Sequence, residues 1–537
     1  MRRIYSLFKV VGYSFPVQLL LNNIKRNHVL LLCWIVLITM ISGSFGKYLG
    51  IPYLFLDPEY LNKVNFTSFL IMGGCTAGFT MGFHITCYIN DGHRFTFLGT
   101  LPRPFTKFCI NNSVVPVIFI VVYLYRIYGF QVNNEYTTND ALVYDLAGLV
   151  TGYLGMTLIF FVYFWFTNKD IFRYVVCRID EKIKTKVKAT RASAMKKLDI
   201  ARKKQIRVDN YLDYDLKFKK VEDHGFYDRA TILQVFDQNH FNLVVIELFI
   251  FATVLVLGIF KDYTAFQLPA AASFVIFLTI FVMIAGAFSY WFGNWSATIA
   301  LILFLFINFL VGKDFFSKRY KAFGLDYSVP PVAYSVDTLR KLNDSSAIAE
   351  DKAATFAMLE NWRKKFTGKK PKMVFLCVSG GGKRAALWAF NALQTADSLT
   401  DGDLFRNSIL ITGASGGLIG ASYFRELKLR EHNGDGVNPY SPVYRAKIST
   451  DNLNPLIFSL LANDLFVGFT RFEYAGNSYL KDRGYTFEQQ LNETTDGVMD
   501  KPISAYDSLE TNALIPMIIL SPTIVNDGRK LYIAARP

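Results

Sequence analysis

Met373-Val374-Phe375-Leu376-Cys377-Val378-Ser379-Gly380-Gly381-Gly382-Lys383-Arg384 reads as a strand that ends in three consecutive glycines and enters an alanine-rich helix over 385–398. Further on, Ser408-Ile409-Leu410-Ile411-Thr412-Gly413-Ala414-Ser415-Gly416-Gly417 repeats the pattern: a strand, a glycine-rich turn, then a helix over 418–430. Consecutive glycines leave backbone N–H groups uncovered beside a helix start. That arrangement suits an anion, either a bound phosphate or a transient oxyanion. G-x-S-x-G between strand and helix is the setting in which the motif means a nucleophile elbow. Small residues around Ser415 permit the sharp turn, and the helix N-terminus behind it favours negative charge. Short apolar runs alternating with helical stretches after residue 372 predict an α/β domain.

The pair of turns resembles the patatin-like phospholipase family. The family's G-G-G-x-[RK] oxyanion loop matches Gly380-Gly381-Gly382-Lys383-Arg384, and its nucleophile elbow matches the stretch from Gly413 to Gly417. The resemblance covers residues 372–537 and implies a serine acyl hydrolase that uses a Ser–Asp dyad, with no metal and no cofactor. Ser415 is then the nucleophile, amides around Gly381–Lys383 hold the oxyanion, and Arg384 supports the loop. A histidine-free mechanism fits this chain, whose six histidines stand at 28, 84, 93, 224, 240 and 432. A triad in the order Ser, Asp/Glu, His needs an acid before His432. Between them lie only Glu426 and Glu431, both in the helix after the elbow or at its end.

The family's D-G-G or D-G-A turn does not follow Ser415. Asp435-Gly436 and Asp496-Gly497 sit in polar loops. Asp527-Gly528-Arg529, between the strand-like runs 517–520 and 530–533, is the best candidate for the base, although D-G between strands is also a hairpin signal. The sequence stops at Arg536-Pro537 directly after a strand. The expectation is therefore a base beyond residue 537 and a hydrolase domain incomplete at its C-terminus.

Outward from this region the composition changes. The chain has 537 residues, 52% hydrophobic and only 19% charged, with 49 Phe and 30 Tyr; a soluble chain is nearer a quarter charged. The apolar surplus lies before residue 312. A spanning helix needs roughly 20 apolar residues, and seven runs qualify: 28–45, 66–89, 109–125, 146–166, 241–260, 268–292 and 295–311. Only Gly293-Asn294 divides the last two, so the N-terminal all-α transmembrane bundle has six or seven helices. The domains are then 1–312, with a basic cytoplasmic arm at 168–240, a juxtamembrane linker at 313–371, and the hydrolase domain at 372–537. A helix over 347–366 and the basic turn Gly368-Lys369-Lys370-Pro371 suit a linker resting on headgroups.

The net charge of +15 gathers between apolar runs, notably over 169–207, which favours anionic lipid or a cytoplasmic loop over nucleic acid. Loop charges put the N-terminus and the basic arm in the cytoplasm of an integral multi-pass protein of the cell (inner) membrane. Span number and the basic residues after 312 disagree on which side holds the hydrolase domain. Gly74, Gly78 and Gly82 recur every four residues, a ridge for packing within the bundle or for a homo-oligomer. His84 and Glu247 raise a transport role, but both lie toward span ends, where snorkelling or internal pairing is the commoner explanation. Six cysteines without close pairing suggest neither disulfides nor zinc.

The function these signs describe is a membrane-anchored phospholipase or lipid esterase, with membrane phospholipids as substrate and surroundings. One rival is an inactive membrane scaffold or transporter carrying a patatin-like domain. Another is a Rossmann-type nucleotide-binding domain, since Gly380 to Ala385 also fits G-x-G-x-x-A; no Tyr-x-x-x-Lys pair follows Ser415, and no G-K-[ST] closes a P-loop.

Overall fold

The structure, a computed structural model, describes residues 11–167, 206–221, 229–313, 328–330, 333–368, 370–524 and 528–536. The chain divides into two compact units, Met1–Arg319 with Leu453–Thr470, and Tyr320–Asn452 with Arg471–Pro537.

The first unit is a helical bundle. Its main elements are α1 (Phe15–Arg26), α2 (His28–Ser42), α3 (Phe66–Asp91), α4 (Pro104–Asn111), α5 (Val114–Asn133) and α6 (Asn139–Thr167). The hairpin of β1 (Asn210–Leu212) and β2 (Phe218–Lys220) follows, then α7 (Arg229–Ile259), α8 (Ala270–Phe292) and α9 (Ser296–Gly312). Among the described residues four helices, α3, α5, α6 and α8, are long and apolar enough to cross a membrane; a fifth arises if α1 and α2, bent by 97° at Asn27, count as one. Helix α9, of 17 residues, is shorter. Four or five spans are thus counted among the described residues, against the six or seven expected, and the runs 241–260 and 295–311 fall on α7 and α9. The first run forms α2, which ends at Gly43 in the left-handed region. The third is split at Asn112-Ser113, so its long helix starts only at Val114. Of the basic arm, residues 168–205 and 222–228 lie outside the described residues.

The three glycines of the ridge differ in their surroundings. Among the described residues a Cβ on Gly78 would meet nothing within 4 Å, and one on Gly74 only Gly152 O at 3.9 Å. Gly82 faces Thr279 of α8, a contact inside the bundle. The tight approach of α3 to α6 is made instead at Gly73 and Gly152, where added Cβ atoms would fall 2.1 Å from Leu149 O and 2.0 Å from Leu70 O. His84 is buried and shares a 3.2 Å hydrogen bond with Asn112, so it pairs internally. Asn112 in turn accepts from Asn23, Asn23 accepts from Asn27, and Asn27 donates to Asp91, which Arg26 and Arg94 also reach. This polar chain fills the bend between α1 and α2.

Segment 453–470 interrupts the region read as hydrolase and packs with the helical bundle. Phe458 and Ala462 join Val254 of α7 and Ile280 of α8 in one apolar cluster. Asn454 Oδ1 accepts from the Ala270 N–H at the start of α8, at 2.6 Å. The segment leaves the second unit because its apolar side chains find their partners on α7 and α8.

The second unit holds α10 (Ser345–Arg363), β3 (Val374–Val378), α11 (Gly382–Leu399), β4 (Ser408–Gly413), α12 (Ser415–Asn433), the hairpin of β5 (Arg471–Tyr474) and β6 (Asn477–Leu480), and β7 (Met517–Ile519). β3, β4 and β7 form a three-stranded parallel sheet in that order. Ile411 and Ile518 meet Phe390 of α11 and Tyr423, Phe424 and Leu427 of α12 in the core. Helix α10, read as part of a linker, belongs here: Trp362 is buried against Ile409 and Ala513. Among the described residues the second unit is thus a small three-stranded parallel sheet with helices packed on it.

Candidate active site

Parallel pairing of β3 and β4, with Val378 opposite Gly413, makes both glycine-rich turns leave the same end of the sheet. Ligand sites of parallel sheets form at these carboxyl ends. The Ala414 N–H donates to Val378 O at 3.1 Å, tying the second turn to the end of the first strand. Helix α12 then starts at Ser415 itself, three residues earlier than its sequence suggests, and Ser415 has φ +50°. A non-glycine residue in this region is strained by about 1–3 kcal/mol, and such residues cluster at functional sites.

The seam between the turns explains the glycines. A Cβ on Gly416 would sit 1.9 Å from Gly382 O, and one on Gly417 2.2 Å from Ser379 O. One turn further on, Gly420 meets Ala386 O in the same way, at 2.1 Å. Side chains have no room there, so α11 and α12 touch backbone to backbone. The same approach lays the glycine loop beside the serine: a Cβ on Gly380 would lie 3.3 Å from Ser415 Cβ. Gly381 and Gly382 carry the loop into α11 with φ +148° and +64°, and among the described residues no side chain caps the helix. Its first N–H groups lack helical partners, as at any helix start. Ser415 is exposed, and among the described residues its Oγ has no hydrogen-bond partner.

Lys383, in the first turn of α11, is half-buried and donates from Nζ to Asn452 Oδ1 at 3.1 Å. Burial lowers the pKa of its ammonium, while the charge of Asp451 acts in the opposite direction. Arg384 is exposed on the next position of the helix. Gly413 closes β4, and Ser521 Oγ donates to its carbonyl at 2.6 Å.

The acidic candidates separate clearly. Helix α12 has 19 residues, so at about 1.5 Å per residue its far end, with His432 and Asp435, is some 25 Å or more from Ser415. Glu426, about 16 Å along the same helix, is buried and held by Lys501 at 2.6 Å and Tyr506 at 2.8 Å. Asp496 is paired with Lys447. Asp527 lies outside the described residues. Its flanks form the expected hairpin, bridged at Leu520–Ile533 and Thr523–Lys530. Because Ile519 pairs with Thr412, this hairpin starts from β7 directly beside the elbow strand.

Sequence reading missed Asn452, 69 residues from its partner Lys383, and nothing local marks it. Gly416 and Gly420 were visible only as small residues; their contacts required α11 and α12 to be placed together. No family model matches this chain, nor does any curated protein or solved structure.

Proposed function

We propose that this protein is a membrane-anchored serine acyl hydrolase acting on lipid carboxylic esters, phospholipids foremost. The observation that carries the reading is Ser415, a left-handed residue at the first position of a helix, with the Gly380–Gly382 loop packed against its Cβ. In the proposed reaction Ser415 Oγ bonds to the ester carbonyl carbon as its proton passes to a carboxylate base. Amides of the Gly381–Lys383 region hold the oxyanion, each such donor being worth about 3–4 kcal/mol in comparable sites. The C–O bond to the alcohol then breaks, the alcohol takes the proton, and water releases the acyl group by the reverse sequence. Four long apolar helices suit a membrane anchor, and tethering raises the effective substrate concentration without new contacts.

Fluorophosphonate labelling of native membranes, with Ser415→Ala as control, tests this. The expected result is a labelled band that the substitution abolishes, together with lost hydrolysis of lipid esters. The absence of an acid partner on Ser415 Oγ among the described residues favours a second reading, an inactive scaffold; folded full-length protein that never labels would establish it in place of the first.

A further inference from the structure

The glycine loop is built from residues with little torsional restraint of their own. On one side it is held by backbone packing, Gly382 against Gly416 and Ser379 against Gly417. At its exit the first residue with a side chain is Lys383, and that side chain is tied to Asn452. We propose that Asn452 is a positioning residue: through its hydrogen bond to Lys383 it fixes the exit of the glycine loop, and with it the amides that face the oxyanion.

Two observations support this, and it rests on the serine-hydrolase reading. Asn452 is buried, with 5% of its surface exposed, so its placement is set by the surrounding structure. Among the described residues its Nδ2 is a buried donor without a partner. A buried amide that satisfies only its acceptor is unfavourable compared with an isosteric leucine, so the Lys383 contact is the use that accounts for it.

The test uses the full-length chain in native membranes, measuring the rate of Ser415 labelling by a fluorophosphonate and turnover of a short-chain p-nitrophenyl ester. Asn452→Leu should slow labelling about tenfold or more, since small misplacements of catalytic groups have effects of this size. It should lower kcat with little change in KM. Asn452→Asp, which keeps an acceptor for Lys383, should recover labelling to within about threefold of wild type, and Lys383→Met should reproduce the loss without adding to it in the double variant. The thermal midpoint of Asn452→Leu should stay near wild type, because the orphaned donor is removed. If that variant fails to fold, Lys383→Met and Asn452→Asp decide alone. Labelling of Asn452→Leu at the wild-type rate, or of Asn452→Asp as slowly as Asn452→Leu, overturns the assignment. A wild-type protein that does not label refutes the hydrolase reading itself and this assignment with it.

Discussion

Ser415 stands at φ +50° where the chain turns from β4 into α12, and a glycine there would be free of the strain a Cβ imposes. Ser415→Gly should therefore raise unfolding stability by about 1 kcal/mol while abolishing labelling. Ser415→Ala keeps the Cβ and should change stability by less than about 0.5 kcal/mol. Chemical denaturation of the two variants side by side checks the difference, and equal stabilities would mean the turn is unstrained. Its neighbour behaves in the opposite way. A methyl on Gly416 would fall 1.9 Å from Gly382 O, a backbone atom that cannot move without opening the seam. Gly416→Ala should cost about 2–3 kcal/mol and reduce fluorophosphonate labelling, although the serine is untouched.

At the scale of elements, α12 is the beam that carries the serine, and two buried charge groups set its place. Arg425 pairs with Glu510, donates to Pro516 O at 2.9 Å, and Glu510 also accepts from the Ile518 N–H of β7 at 3.3 Å. Burial raises the pKa of Glu510 and lowers that of Arg425, in each case against the attraction of the partner. A pair of this kind adds little net stability but is costly to break, because the survivor stays buried and unpaired. Arg425→Met should thus destabilise the protein by about 3–5 kcal/mol, whereas Arg425→Met with Glu510→Leu should lose less than about 1 kcal/mol. Thermal unfolding of the single and double variants measures this, and additive losses would contradict it. The same element shows how far sequence reading reached. The strand–turn–helix order around Ser415 follows from turn chemistry, while Arg425 and Glu510, 85 residues apart, carry no local sign of pairing.

For the whole molecule, the notable feature is that the chain departs from the second unit at Leu453 and rejoins it at Arg471. Within the helical unit this segment is seated on α7, where a Cβ on Gly258 would lie 2.8 Å from Ala462 O and 2.9 Å from Val467 Cγ2. Gly258→Val should unseat it. The expected outcome is faster maleimide modification at an Ala462→Cys reporter, read by mass spectrometry of the peptide that contains it; unchanged modification would show that the seam tolerates the added bulk. Helix α9, whose described residues include none that are buried, and the exposed sides of α5 and α6 suit an apolar surrounding. Alkaline extraction of membranes should accordingly leave the chain in the pellet.

What the sequence determined by itself was local. Three glycines after an apolar run, G-x-S-x-G before a helix, and apolar runs near spanning length are read within one or two dozen residues. They rest on turn torsions and on hydrophobic period, which neighbours in the chain settle among themselves. Tertiary structure decided that the two turns share one sheet end, and that Gly73 and Gly152, not Gly74 and Gly78, make the close helix contact. It also decided that Asn452 holds Lys383 and that 453–470 packs with the bundle. These depend on how closely two backbones approach, a quantity set by every side chain along both elements and written in no single stretch of sequence.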